Sequence, residues 1–370
     1  NPEPTPDGTF TTSRYYADTL PSWVRAFNAQ HAPATLAGAA WTPLLTPSQY
    51  PEPDSVVAEA GGQGFVFPHR MSDDPAMAAA QLPEFPLMDE RTLALALAGL
   101  DALNLGRGPQ ADVLAISLST TDAVGHKYGP DSRELHDQVL QLDRFLGAFL
   151  DSLYRVRDSS TIVIALTADH GVAALPEVKS RDPNAGARHV ELSGPVHDAR
   201  AALASKGADS LAFRFEDGVA YLDRTRLTPG VNADDIIRRF AAAARNVAGV
   251  LRVDSPLALA KADTVTDDIA RRWLHMFPPD LRPDLVVTLK PWSVWGETAY
   301  AMHGSPHDYD ARVPVLFWGA PFAAGRRTEP ARVVDMAPTL AHVLGIPPTE
   351  PVDGRVLAGA LRRGAAATAP

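Results

Sequence analysis

The feature that most constrains this fold is an alternation of helical and apolar stretches. Two short apolar runs, 113–118 in "ADVLAISLS" and 162–166 in "TIVIALTADHG", each follow a stretch with helical periodicity. Short runs rich in Val, Ile and Leu, bounded by polar turns, read as strands covered on both faces of a parallel sheet. Ahead of the first, "MDERTLALALAGLDALNLGRG" predicts a helix capped by Asp89 and stopped by Gly106. Between the two, "DSRELHDQVLQLDRFLGAFLDSLYRV" sets Leu135, Val139, Leu142, Leu146, Phe149 and Leu153 at alternating steps of four and three, a stripe suited to packing on a sheet. The order helix, strand, helix, strand predicts an α/β fold with a mostly parallel sheet sandwiched between helices.

The middle of the chain changes character. "LAFRFEDGVAYLDR" is two alternating runs around Asp217 and Gly218, a hairpin signal, and Asn232 is placed to cap the helical "ADDIIRRFAAAARNV". These elements predict a smaller α+β lobe, residues 187–283, inserted into one catalytic domain that takes in 1–370. The main sheet is expected to resume at "PDLVVTLK" and "VPVLFWG", and a last helix to run through "DMAPTLAHVLG". Low complexity is limited to a Pro-rich start at 1–6 and an Ala-rich tail at 363–370.

Open α/β sheets bind ligands at the ends of their strands, and chemistry collects at three such places here. The run 162–166 leads to Asp169, His170 and Gly171. Adjacent side chains on an extended chain face opposite ways, so Asp169 and His170 reach one ion only if the backbone turns sharply, a turn assigned to Gly171. The plainer alternative is an Asp that caps the next helix beside a polar loop histidine. Past 113–118 come Asp122 and His126, four apart and aligned by one helical turn. His303 and Gly304 lie just before the apolar run 313–318. The chain has no cysteine, which excludes disulfides, thiolate zinc sites and a cysteine nucleophile within these residues, and leaves its 11 histidines and its carboxylates. Imidazole with carboxylate suits zinc, and Asp122, His126 and His303 form a three-ligand set with one position open. Asp169 and His170 then fall to a second ion, and two ions roughly 3.5–4 Å apart clamp the attacking and leaving oxygens of a phosphoryl displacement.

Other polar residues carry weaker expectations. His307 could replace His303 but reads as solvated, Asp308 and Asp310 as shaping their loop, and His189 and His197 as flanking the lobe. Asp143 reads as a surface charge, and Lys127 as solvated rather than set on a substrate phosphate. A net charge of −10 argues against binding a nucleic-acid backbone. No apolar run approaches the roughly 18 residues of a membrane span.

Three stretches, "TTDAVGHKYGP", "LTADHGVAALPE" and "HGSPHDYDARVPVLFWG", resemble the metal motifs of the alkaline phosphatase superfamily in their order and spacing. The likeness is to its type I phosphodiesterase/nucleotide pyrophosphatase-like branch, nearest to the phosphate-irrepressible alkaline phosphatases. It runs from about Thr9 to the end, where "VVDMAPTLAHVLGIPPTEPVDGRVL" resembles the closing helix and loop. The resemblance implies two Zn2+ ions, one held by Asp122, His126 and His303, the other in part by Asp169 and His170. It also implies hydrolysis of small-molecule phosphate monoesters through a phospho-enzyme on a Thr or Ser. The alternatives are a phosphodiesterase or nucleotide pyrophosphatase, and a catalytically silent metal-binding interaction domain. That family opens with a strand ending in an Asp ligand, followed by the nucleophile at a helix N-terminus, and nothing before Asp112 fits. The nucleophile is therefore expected upstream of Asn1, and this fragment alone is expected to be inactive. Thr120 and Thr121 read as turn residues. Residues 7–30 resemble the segment that follows a phosphate-binding Lys and Arg in that group, with core packing against the sheet as the plainer reading. A periplasmic or secreted location, with the signal peptide outside this chain, is what the resemblance implies; the oligomeric state stays open.

Overall fold

The computed structural model describes residues 8–182, 186–278, 280–297 and 300–362. The low-complexity stretches at 1–6 and 363–370 lie outside them. Helices and strands mix in an α/β fold, as the alternation predicts. The strand leading to Asp169 is Ile164–Thr167, paired antiparallel with Val315–Trp318. Parallel pairing among the described residues joins His189–Val190 to Val294–Trp295.

The strands near the site are barer than their composition suggests. Residues 111–119 lead into the helix Thr120–Tyr128 without forming a strand or joining a ladder among the described residues. Val113 is 79% exposed, and Leu114, Leu166, Leu316 and Trp318 also face solvent. The expectation of strands covered on both faces is corrected here: apolar, β-branched character marks a residue run for a sheet interior without supplying the neighbours that bury it.

The two long helices correct the sequence in a different way. Asp89 does not cap the helix Leu87–Ala102 but sits inside its first turn, fully buried. Its carboxylate accepts the Thr120 amide at 3.3 Å and the Gln138 side-chain amide at 2.8 Å. The helix Arg133–Val156 starts at a Ser132 cap, yet its buried residues are Arg133, Glu134, Asp137, Gln138 and Leu153, while Val139 is half exposed. Its first turns thus bury a polar face. Asp137 accepts from Trp41 Nε1 at 2.6 Å, the Leu44 amide at 2.7 Å and the Tyr50 hydroxyl, and Glu134 meets His69 Nε2 at 2.8 Å. These bonds fasten the paired segments Ala40–Trp41 and His69–Arg70. Trp41, Met71, Leu82 and Phe85 then pack with Val124 and Tyr128, the inward face of the helix whose other face bears Asp122 and His126.

The hairpin and the capped helix form as their local patterns imply. Asp217 and Gly218 take positive φ of 45° and 85° between the strands Phe213–Glu216 and Val219–Leu222, the pair of left-handed residues a tight hairpin requires. Asn232 caps the helix Ala233–Arg245 through the Asp235 amide. The strand Leu285–Leu289 does not resume the main sheet. It lies between Val219–Leu222 and Val250–Asp254 in the lobe's own four-stranded sheet, buried throughout, so the lobe runs past residue 283. An apolar run tells how deeply a strand is buried and not in which sheet. The helix Ser22–Gln30 packs against Leu87–Ala102 rather than a sheet, with Trp23 close enough to Gly99 to touch an added Cβ at 3.1 Å.

Candidate metal centre

Asp122 and His126 come from one helix, Thr120–Tyr128, and the four-residue spacing brings them together as expected. His126 Nε2 lies 3.4 Å from Asp122 Oδ1, and His303 Nε2 lies 3.5 Å from the same oxygen. These separations exceed those of good N–H···O bonds. They match the edge of a zinc tetrahedron: donors about 2.0–2.1 Å from an ion at tetrahedral angles stand about 3.3–3.4 Å apart. All three donor atoms fall within 4.8 Å of one another.

Hydrogen bonds fix the tautomers. His126 Nδ1 lies 2.6 Å from the Ala301 carbonyl, and His170 Nδ1 lies 2.9 Å from the Gly171 carbonyl. A carbonyl accepts only, so each Nδ1 carries the proton and each Nε2 keeps its lone pair for an ion. Burial first, and then the neighbouring His170, lower the His303 imidazole from its ordinary value in spite of Asp122, which favours the neutral ring. The donor set therefore fits a divalent zinc-like ion.

Asp169 and His170 stand beside this set without completing a second one. Their ligand atoms are 3.6 Å apart, His170 stacks on His303 with ring centroids 3.5 Å apart, and the Asp169 side chain is 88% exposed. Gly171 has no positive φ. The expectation that it permits a sharp turn is corrected: a Cβ there would fall 2.0 Å from the Tyr309 carbonyl oxygen, so glycine allows two backbones to touch.

The remaining candidates resolve one by one. His307 is buried rather than solvated, with Nε2 2.8 Å from the Leu289 carbonyl. Asp308 pairs with Arg272. Asp310 is buried and accepts the Ser305 amide at 2.7 Å; burial pushes its carboxyl upward while that bond draws it down. Lys127 is engaged by Glu84 at 2.6 Å, and His189 by Glu177 at 2.7 Å. His197 and Asp143 are exposed on helices. Thr120 and Thr121 open a helix rather than form a turn, and Thr120 is fully buried, which denies it to a substrate. The support that Asp310 gives the loop after His303 agrees with its reading as a loop-shaping residue, while the buried bonds of Asp89 to Thr120 and Gln138 come from residues far along the chain that no local pattern contains.

Residues 7–248 match the type I phosphodiesterase / nucleotide pyrophosphatase family. Alkaline phosphatase PafA of Elizabethkingia meningoseptica is 28% identical over 92% of this chain and 63% of its own length. Alkaline phosphatase PhoK of Sphingomonas sp is 31% identical over 74% of this chain and 51% of its own. The crystal structure of wild-type PafA superposes with a TM-score of 0.85 at 25% identity, over 96% of this chain and 69% of that one. The chain thus spans between about half and two thirds of the length of these curated relatives.

Proposed function

Because this chain belongs to the type I phosphodiesterase / nucleotide pyrophosphatase family, within the alkaline phosphatase superfamily, we propose that it is the larger part of a zinc-dependent phosphomonoesterase. The observation that carries the reading is the convergence of Asp122, His126 and His303, with both histidine Nε2 atoms 3.4–3.5 Å from Asp122 Oδ1 and all three donors within 4.8 Å. Zinc bound there supplies Lewis acidity toward phosphoryl oxygens and lowers the pKa of an attacking hydroxyl. Asp122, His126 and His303 hold one ion, and Asp169 and His170 contribute to a second. The Ala301 and Gly171 carbonyls keep the proton of each ring on Nδ1, so that Nε2 faces the ion.

The nucleophile, a Thr or Ser, lies in this reading upstream of Asn1. Support comes from the incomplete second ligand set, whose Asp169 side chain is exposed, and from the burial of Thr120. The whole protein would be periplasmic or secreted and act on small phosphate esters; among the described residues, no helix is long and apolar enough to cross a membrane. The names of the relatives favour monoesters over the phosphodiester alternative.

The test is kcat/KM for an aryl phosphate against its methyl aryl diester, measured on the 370-residue chain and on the complete reading frame. Monoester preference in the complete protein, with little turnover by the 370-residue chain, is expected. Diester preference moves the assignment to the phosphodiesterases, and equal rates from both forms refute an upstream nucleophile.

A further inference from the structure

The segment from Ala301 to Asp310 touches both ligand-bearing elements through its backbone. The Ala301 amide donates to the His126 carbonyl at 2.8 Å, and the Ala301 carbonyl accepts from the His126 ring. The Met302 carbonyl accepts the Ala173 amide at 2.8 Å, and the Asp310 carbonyl accepts the Gly171 amide at 2.7 Å. His303 is carried between these anchor points.

The tightest of the contacts is at Gly171. The Tyr309 carbonyl approaches so closely that any Cβ would overlap it, at 2.0 Å. Opposite, Asp310 is 3% exposed; Oδ2 takes the Ser305 amide, which closes the loop that follows His303 and Gly304, while Oδ1 is buried with no hydrogen-bond partner. A buried carboxylate oxygen left without a partner is costly, and its retention calls for a reason.

We propose that Gly171 and Asp310 form a positioning clasp that sets the separation between the turn carrying Asp169 and His170 and the loop carrying His303. Neither residue touches the ion. They act through the backbone, holding the His303 ring against His170 at the stacking distance and its Nε2 over Asp122. Supporting groups around a metal site commonly change affinity 10–100-fold when removed. Gly171→Ala must drive the two backbones apart, which withdraws His303 from the donor set. Asp310→Ala frees the Ser305 amide and loosens the same loop without inserting an atom.

The inference rests on the metal reading above, and the experiment separates the two. Metal-free protein is titrated with zinc against a chromophoric chelator, and the melting temperature of the metal-free form is recorded alongside. The parent, Gly171→Ala, Asp310→Ala and Asp310→Asn are compared, with Gly147→Ala as control, since a Cβ at that position meets nothing within 4 Å. Zinc affinity should fall about tenfold or more in Gly171→Ala and Asp310→Ala. It should hold near the parent value in Asp310→Asn, which keeps an acceptor for Ser305, and in the control. Unchanged zinc affinity in folded Asp310→Ala or Gly171→Ala, with only the melting temperature lowered, overturns the clasp. Asp310→Ala keeps the test decisive if Gly171→Ala does not fold. A parent chain that binds no zinc overturns the metal reading itself, and the clasp with it.

Discussion

Glu59 is 3% exposed, one of its oxygens has no partner, and Glu134 lies near it. Burial, followed by the Glu134 and Asp54 charges, pushes its carboxyl up from 4.5 to about 8. The folded chain therefore keeps a proton that the unfolded chain releases near pH 4.5, and the associated stability is full below that pH and lost as pH rises toward about 8. Glu59→Gln cannot ionise. Thermal melts should show the variant matching the parent at pH 5 and melting several degrees higher at pH 9; a parallel pH dependence in both would contradict the assignment. At this scale the sequence was legible where spacing carried chemistry. Asp122 and His126 met because four residues make one helical turn, and the His303 position followed from its place before a strand. Gly171 and His307 were misread because their roles depend on backbone from distant residues, Tyr309 and Leu289, which no local pattern contains.

The helix Arg133–Val156 holds the layer behind the metal-bearing helix through polar contacts. Asp137, fully buried, serves three donors from residues 41–50. Truncating it to Ala strands all three, at about 1–3 kcal/mol for each unsatisfied group, whereas Tyr50→Phe removes the hydroxyl's bond to Asp137 and leaves the Leu45 amide without that acceptor, about 2–4 kcal/mol together. Urea melts should rank Asp137→Ala well below Tyr50→Phe; equal losses would mean that the network is not shared. The existence of this helix was plain from its stripe of Leu and Phe. Its buried polar end was not, because Arg133, Glu134, Asp137 and Gln138 look like any solvated face until residues 41–69 cover the first three and Asp89 meets the fourth. Leu285–Leu289 shows the same limit: its depth was legible, and its membership of the lobe sheet was not, since pairing with Val219–Leu222 and Val250–Asp254 is a long-range choice.

Over the whole molecule, part of the exposed apolar surface lies on the segments that lead to the ligand-bearing residues. Val113 and Leu114, in a stretch that joins no ladder, and Leu166, Leu316 and Trp318 on the paired strands are all exposed. Exposed strand backbone with apolar side chains invites association. The 370-residue chain should bind a hydrophobic dye and self-associate, and the complete reading frame should do neither; a monomeric 370-residue chain with no dye binding would contradict the view that further polypeptide covers this face. The α/β class was legible because helix and strand periodicities alternate cleanly, while the bare face was not, since composition cannot say which neighbours are present.

Asp122, His126 and His303 are proposed to form a zinc site. Anomalous diffraction at the zinc edge, from crystals of zinc-loaded protein, tests it most directly. The expected result is a peak among Asp122 Oδ1, His126 Nε2 and His303 Nε2 that disappears in His303→Ala. A peak bound elsewhere, or one that persists at full height in His303→Ala, would contradict it.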